Sequence, residues 1–81
     1  MTDFLEVLIK NLVNNPADVV INESIDGNNI FYEVFVKTDD VGRIIGKHGH
    51  IISSIRQILK ALGKQKGTCY FLEIKEQTSQ T

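Results

Sequence analysis

Eighty-one residues with 42% hydrophobic side chains, a single proline and no low-complexity tract make one globular domain and leave no room for a second. A chain this short buries about 60% of the surface its unfolded state exposes, so modest stability is expected. A formal net charge of −1 argues, on its face, against a nucleic-acid partner, and no apolar run approaches the length of a membrane span.

The opening segment, Met1-Thr2-Asp3-Phe4-Leu5-Glu6, has neither a basic n-region nor a long apolar stretch, and the lone Cys69 has no partner for an internal disulfide. A reducing, cytoplasmic location without membrane attachment is therefore expected. Thr2 or Asp3 can cap a first helix, with Asp3 and Glu6 at capping-box spacing. Phe4, Leu5, Leu8, Ile9, Leu12 and Val13 recur at helical intervals until Asn14-Asn15-Pro16 stops them. Val19-Val20-Ile21 opens a β-branched run that reaches Ile25 and meets Asp26-Gly27-Asn28-Asn29, a hairpin signal. In the strand that follows, Ile30, Tyr32, Val34 and Val36 alternate with Phe31, Glu33, Phe35 and Lys37, and the charged members assign the second set to the outer face.

Thr38-Asp39-Asp40 supplies N-cap chemistry for a short helix holding Val41, Ile44 and Ile45. Gly46 and Gly49 then bracket Lys47 and His48, and two glycines three apart between Ile-rich segments predict a sharp break, since glycine costs a helix roughly 1 kcal/mol relative to alanine. A longer helix follows. On a helical wheel Ile51, Ile55, Ile58 and Leu62 form a narrow stripe predicted to pack on the sheet. Ile52 and Leu59 form a shoulder beside Arg56 and Lys60, the pattern of an apolar groove floor with a charged rim. Gly63 is predicted to close this helix, Lys64-Gln65-Lys66-Gly67 to form a loop, and Thr68 to Lys75 to form a last strand with Tyr70, Leu72 and Ile74 inward. Residues 1–76 then make one domain, and Gln77 to Thr81 a disordered tail. The resulting order, α-β-β-α-α-β, predicts an α+β fold in which three helices cover one side of a three-stranded mixed sheet, the last strand parallel to the second.

The charge distribution reverses what the net charge implies. From Val41 to Leu72 there is no Asp or Glu, whereas Arg43, Lys47, Arg56, Lys60, Lys64 and Lys66 all lie in that span, and all ten acids lie outside it. A backbone without side chains at Gly46 and Gly49, flanked by Lys47 and His48 and followed by a helix N-terminus, suits close approach of a phosphate. The alternative for the charge cluster, a solvated basic face, stays open at this point.

A Gly-x-x-Gly turn between two short helices, set in Gly42-Arg43-Ile44-Ile45-Gly46-Lys47-His48-Gly49-His50-Ile51-Ile52 and following a hairpin, resembles the signature loop of KH domains. The element order is similar to the type II arrangement, and the resemblance covers nearly the whole chain, as in the small stand-alone bacterial KH proteins of the KhpA type. It implies binding of single-stranded RNA, about four nucleotides in a groove, often through a homodimer or a second KH-domain protein. It also implies roles for residues. Gly46 and Gly49 would admit the sugar-phosphate chain and Lys47 and His48 would face it. Ile45 and Ile52 would support the bases, and Gly42 and Arg43 would lie at the groove's edge, with Arg56 on its rim. The groove's other side would be the sheet edge with the hairpin loop, here only Asp26 to Asn29.

Other chemistry fits less well. Gly42 to Gly46 leaves three intervening residues where a Walker A loop has four, and His48 stands where that loop has Ser or Thr. A helix-turn-helix DNA reader also joins two helices by a glycine-containing turn, but here the helix pair interrupts a sheet. His48, His50 and Cys69 lack accompanying carboxylates for a metal site, no constellation for catalysis is present, and no cofactor is implied. A protein-interaction or dimerisation module is the alternative of another class, because Phe31, Phe35 and Phe71 would form an apolar patch on the outer sheet face.

Overall fold

The central strand, β2 (Asn29–Val36), buries Tyr32, Val34 and Val36 on one face and turns Phe31, Glu33 and Phe35 to the other, so the sheet has one packed side. In this computed structural model, which describes residues 2–77, β1 (Val20–Asp26) runs antiparallel to β2 and β3 (Cys69–Glu76) runs parallel to it, in the order β1-β2-β3. The hairpin pairs Asp26 with Asn29 around a two-residue loop whose Gly27 takes φ 62°, a conformation that strains any L side chain. Leu72 is buried on β3, with Tyr70 and Ile74 half-buried beside it, as alternation predicts. Burial, and then the hydrogen bond its hydroxyl donates to Glu23 Oε2 at 2.7 Å, push the Tyr32 phenol well above its ordinary pKa.

Three helices supply the other half of the core: α1 (Thr2–Lys10), α2 (Thr38–Gly42) and α3 (Gly49–Lys66). Leu5 and Ile9 come from α1, Ile44 from the turn after α2, and Ile52, Ile55 and Leu59 from α3, all packed with Tyr32, Val34, Val36 and Leu72. The α+β order expected from the sequence is the observed one. Thr2 and Asp3 already belong to α1, so Asp3 is a first-turn acid at the positive end of the helix and not its cap. Pro16 opens a short 3-10 turn, Pro16–Asp18, that leads into β1.

Two expectations for α3 need correction. The buried stripe is Ile52, Ile55, Leu59 and Gly63, while Ile51 and Ile58, at 40% and 47% exposure, face outward. Gly63 is the reason the wheel misled. It lies on the packed stripe but carries no side chain to advertise it, so the apparent centre of the stripe shifted toward Ile51 and Ile58. Nor does Gly63 close the helix, which continues to Lys66 and ends at Gly67, in left-handed conformation at φ 68°. Of the expected tail, Gln77 alone is described. Its N–H donates to the Val36 carbonyl at 2.7 Å and its side-chain Nε2 to the Asp18 carbonyl at 3.2 Å; residues 78–81 lie outside the described residues. Among the described residues no helix is long and apolar enough to cross a membrane.

Candidate nucleic-acid interface

The Gly-x-x-Gly segment does not break the helix by unusual glycine conformation. Arg43–Lys47 forms one π-helical turn that continues directly from α2, and the His48 N–H donates to the Arg43 carbonyl at 3.0 Å. A π turn inserts one residue into a helical path and is often found at functional sites. The bend falls at His48, with φ −111° and ψ 22°, and α3 starts at the next residue. Gly46 and Gly49 have no positive φ, and a Cβ built on either would meet nothing within 4 Å. The carbonyl of His48 accepts from Ile51 and Ile52 at 3.0 and 3.1 Å, and Gly49 and His50 open α3, where a helix's first N–H groups have no i−4 partner inside it.

Beside this turn, Ile45, Gly49, Ile52 and Arg56 line a cavity of about 230 Å³ together with Glu73 and Ile74 of β3. The fold thus gathers four of the predicted site residues in one groove. Ile52 is nearly buried and can only underlie a ligand, whereas Ile45 is 62% exposed at the groove wall. Lys47 is exposed and His48 half-buried on the turn itself; Gly42, Arg43 and Gly46 lie on the approach to it and outside the cavity lining. The opposite wall is β3 and not the hairpin loop, because β3 is the edge strand nearest α3. Arg56 Nε donates to the Leu72 carbonyl at 3.2 Å and so ties the rim of α3 to that strand. Glu73 brings an acid into the groove although it falls outside the acid-free segment.

One element that holds the turn in place was invisible in the sequence. Asp40, expected in a cap, is completely buried, and the residue at the cap position of α2 is Lys37. Asp40 Oδ1 accepts from the Asn14 backbone N–H at 3.0 Å, and Asp40 Oδ2 accepts from the Asn15 backbone and side-chain nitrogens, both at 3.1 Å. Arg43 Nε lies 3.9 Å from Oδ1. Burial alone would raise the carboxyl's pKa, but the donors from Asn14 and Asn15 and the Arg43 charge outweigh it and hold the group below the ordinary carboxylate value. Asp40 therefore fastens α2, and with it the start of the glycine turn, to the segment after α1. These partners stand 25 and 26 residues away, which is why no local pattern revealed them.

The opposite face of the sheet differs in character. Phe31 and Phe71 stack at 4.8 Å between ring centroids with 14° between planes, and they remain 37% and 47% exposed while Phe35 is half-buried. Lys75 Nζ lies 2.7 Å from Glu33 and 3.8 Å from Glu73 on this face. Among the described residues no group of three or more His, Cys, Asp or Glu gathers as metal ligands would.

The α-β-β-α-α-β order, the mixed three-stranded sheet with helices on one face and the two-glycine turn between α2 and α3 define a type II KH domain. Residues 2–74 match the family model of the KhpA/KhpB KH domain, and the chain belongs to that family. It is 42% identical to the RNA-binding protein KhpA of Chlamydia caviae over 76 residues, which are 94% of this chain and 97% of that one. Against the RNA-binding proteins KhpA of Listeria monocytogenes and Clostridium perfringens the identities are 36% and 35%, covering 94% and 91% of this chain and 100% and 99% of theirs. No solved structure matches the chain.

Proposed function

We propose that this protein binds single-stranded RNA, with the Gly46 to Gly49 turn as a backbone clamp and the groove between α3 and β3 holding about four unpaired nucleotides. The observation that carries the reading is the open space over Gly46 and Gly49: neither packing nor backbone conformation within the chain requires glycine there. An incoming sugar-phosphate chain does. Lys47 and the first amides of α3 meet the phosphates, Ile45 and Ile52 support the bases, and Arg56 and Arg43 flank them. The groove offers no aromatic platform, so contact with the RNA backbone supplies most of the affinity. The exposed Cys69 suits a reducing compartment, and the RNA in question is cytoplasmic. A helix-turn-helix reading is disfavoured because α2 has only five residues.

The test is a fluorescence titration of unstructured RNA oligonucleotides against the parent and against the double variant Lys47→Asp, His48→Asp. Parent binding is expected to be micromolar or weaker, with a log-log salt slope of about −1.5 to −2 from two or three neutralised phosphates. Two carboxylates placed where phosphates must lie cost roughly 1 to 4 kcal/mol each, so binding by the double variant should vanish while its thermal melt is kept. Undiminished binding by a folded double variant would remove the clamp from the RNA site.

A second reading, a homodimer or a complex with another KH-domain protein through the outer sheet face, draws on the exposed Phe31 and Phe71 stack. Light scattering on a Phe35→Lys, Phe71→Lys variant addresses it: loss of a dimeric mass would support the sheet face, and an unchanged dimer would exclude it.

A further inference from the structure

Arg43 begins the π turn, and its carbonyl receives the His48 N–H that closes that turn. Its side chain is not left to swing freely. With the Asn14 amide turned so that its oxygen faces the guanidinium, that oxygen accepts from Arg43 Nε at 3.2 Å and Nη2 at 2.7 Å. Asn14 is itself fixed through its backbone N–H on Asp40 Oδ1, and the same oxygen lies 3.9 Å from Arg43 Nε. We propose that Asp40 and Asn14 act together as positioning residues that hold the Arg43 guanidinium ready at the start of the glycine turn, so that it meets an RNA phosphate already oriented. The inference rests on the RNA-binding reading above.

The donor inventory permits this. A guanidinium carries five N–H donors, and the Asn14 oxygen occupies two of them, which leaves three for a phosphate. The division of labour between the two positioning residues matters as well. The carboxylate of Asp40 takes its hydrogen bonds from three N–H groups of Asn14 and Asn15, while the hydrogen bonds to Arg43 come from a neutral amide. Arg43 thus stays cationic, with guanidinium donors still open to the ligand, while losing the rotamer freedom that a half-exposed arginine would otherwise surrender on binding. Positioning and charge are separable here, because Asp40 near a phosphate is electrostatically unfavourable. Removing its charge would by itself favour RNA, whereas loss of orientation would oppose it. Asn14→Ala changes no charge and isolates the orientation.

The experiment titrates an unstructured RNA oligonucleotide against the parent, Asn14→Ala, Arg43→Ala and the double variant, each over a range of salt. Asn14→Ala is expected to weaken binding about three- to tenfold, the cost of ordering one long side chain. Its salt slope should match the parent's, since the cation remains. Arg43→Ala should make the slope shallower by about 0.7, and Asn14→Ala should add nothing in that background. On the unliganded parent, NMR should find the Arg43 Nε–H exchanging with solvent more slowly than an arginine Nε–H in an unfolded peptide, and this measurement stands even if a variant fails to fold. An Asn14→Ala protein that binds as the parent does, an effect that persists in the Arg43→Ala background, or an unprotected Arg43 Nε–H would overturn the inference. A parent that binds no RNA would instead overturn the RNA-binding reading, and this inference with it.

Discussion

Glycines at two places in this chain answer to different demands. At Gly63, deep on the packed stripe of α3, a Cβ would press into the Thr68 carbonyl oxygen and lie 3.2 Å from Tyr70 Cδ2, so the fold itself forbids a side chain. At Gly46 and Gly49 a Cβ would meet nothing within 4 Å, and the backbone is one that any residue adopts. A glycine that the protein's own packing requires is a structural residue. One that it does not require, standing in a basic turn at a helix N-terminus, leaves room for something outside the chain. The contrast separates the residues that build this domain from those available to a ligand, and it can be attacked from either side.

The largest effect is expected at Gly63→Ala. The hard clash is with the Thr68 main chain at the helix terminus, which cannot step aside cheaply, and half-buried Tyr70 must give as well, so destabilisation of about 3 kcal/mol is expected. In a domain of this size that lowers Tm by more than about 10 °C, measurable by calorimetry. A melt within a few degrees of the parent would show that α3 can lift from β3 without cost.

Gly46→Ala combined with Gly49→Ala should do the reverse. Folding stability is expected to hold or to rise by up to about 1 kcal/mol per site, because alanine is the better helix former. RNA affinity should fall about tenfold or more as two methyl groups take the place of the approaching backbone, each 1.4 kcal/mol of lost contact being tenfold. Denaturant melts and RNA titrations on the same preparation check both halves. If stability drops together with affinity, then these glycines too serve the fold and the contrast fails.

A smaller, pH-dependent effect belongs to the bracket between the two regions. Because the folded-state pKa of Asp40 is depressed, its contribution to stability is fully present above the unfolded carboxyl value of about 3.9 and is lost as pH falls through the folded value. Asp40→Asn should therefore be less stable than the parent at neutral pH, with the gap narrowing below about pH 4. Thermal melts from pH 7 to pH 3 give the two curves. Parallel curves would mean that the carboxylate is not the origin of the acid dependence.

How far these features could be read in advance follows their physics. The alternation in β2, the Asp26 to Asn29 hairpin and the acid-free basic span are local patterns, and they predicted the sheet, its packed face and the position of the turn. Gly63 was misread because a packing position filled by hydrogen has no hydrophobic signature, and that error turned α3 by part of a turn so that Ile52 and Leu59 seemed marginal. Asp40 followed Thr38 and Asp39 and so looked like capping chemistry, whereas its partners, Asn14 and Asn15, come from the segment after α1, 26 and 25 residues earlier. Glu73 went unremarked for a related reason: it stands one residue beyond the acid-free segment, and only strand pairing brings it against α3.

Glu73 also marks where the two faces of the domain meet, since it lines the groove with Arg56 and shares Lys75 with Glu33 on the outer sheet face. Its carboxylate is more than half exposed and its nearest cation already serves Glu33 at 2.7 Å, so much of its charge is left to act on whatever occupies the groove. A phosphate bound there would be repelled, though solvent screening keeps the energy below about 1 kcal/mol. Glu73→Gln keeps the side chain's shape and removes the charge. It should tighten RNA binding by about two- to fivefold, with the gain largest at low salt and fading as the Debye length shortens. Stability should stay within about 0.5 kcal/mol of the parent, as for most exposed substitutions. A titration in which Glu73→Gln binds no better than the parent at low salt would place the phosphates away from β3 and along the turn side of the groove, leaving Glu73 as a member of the outer-face ion pairs alone.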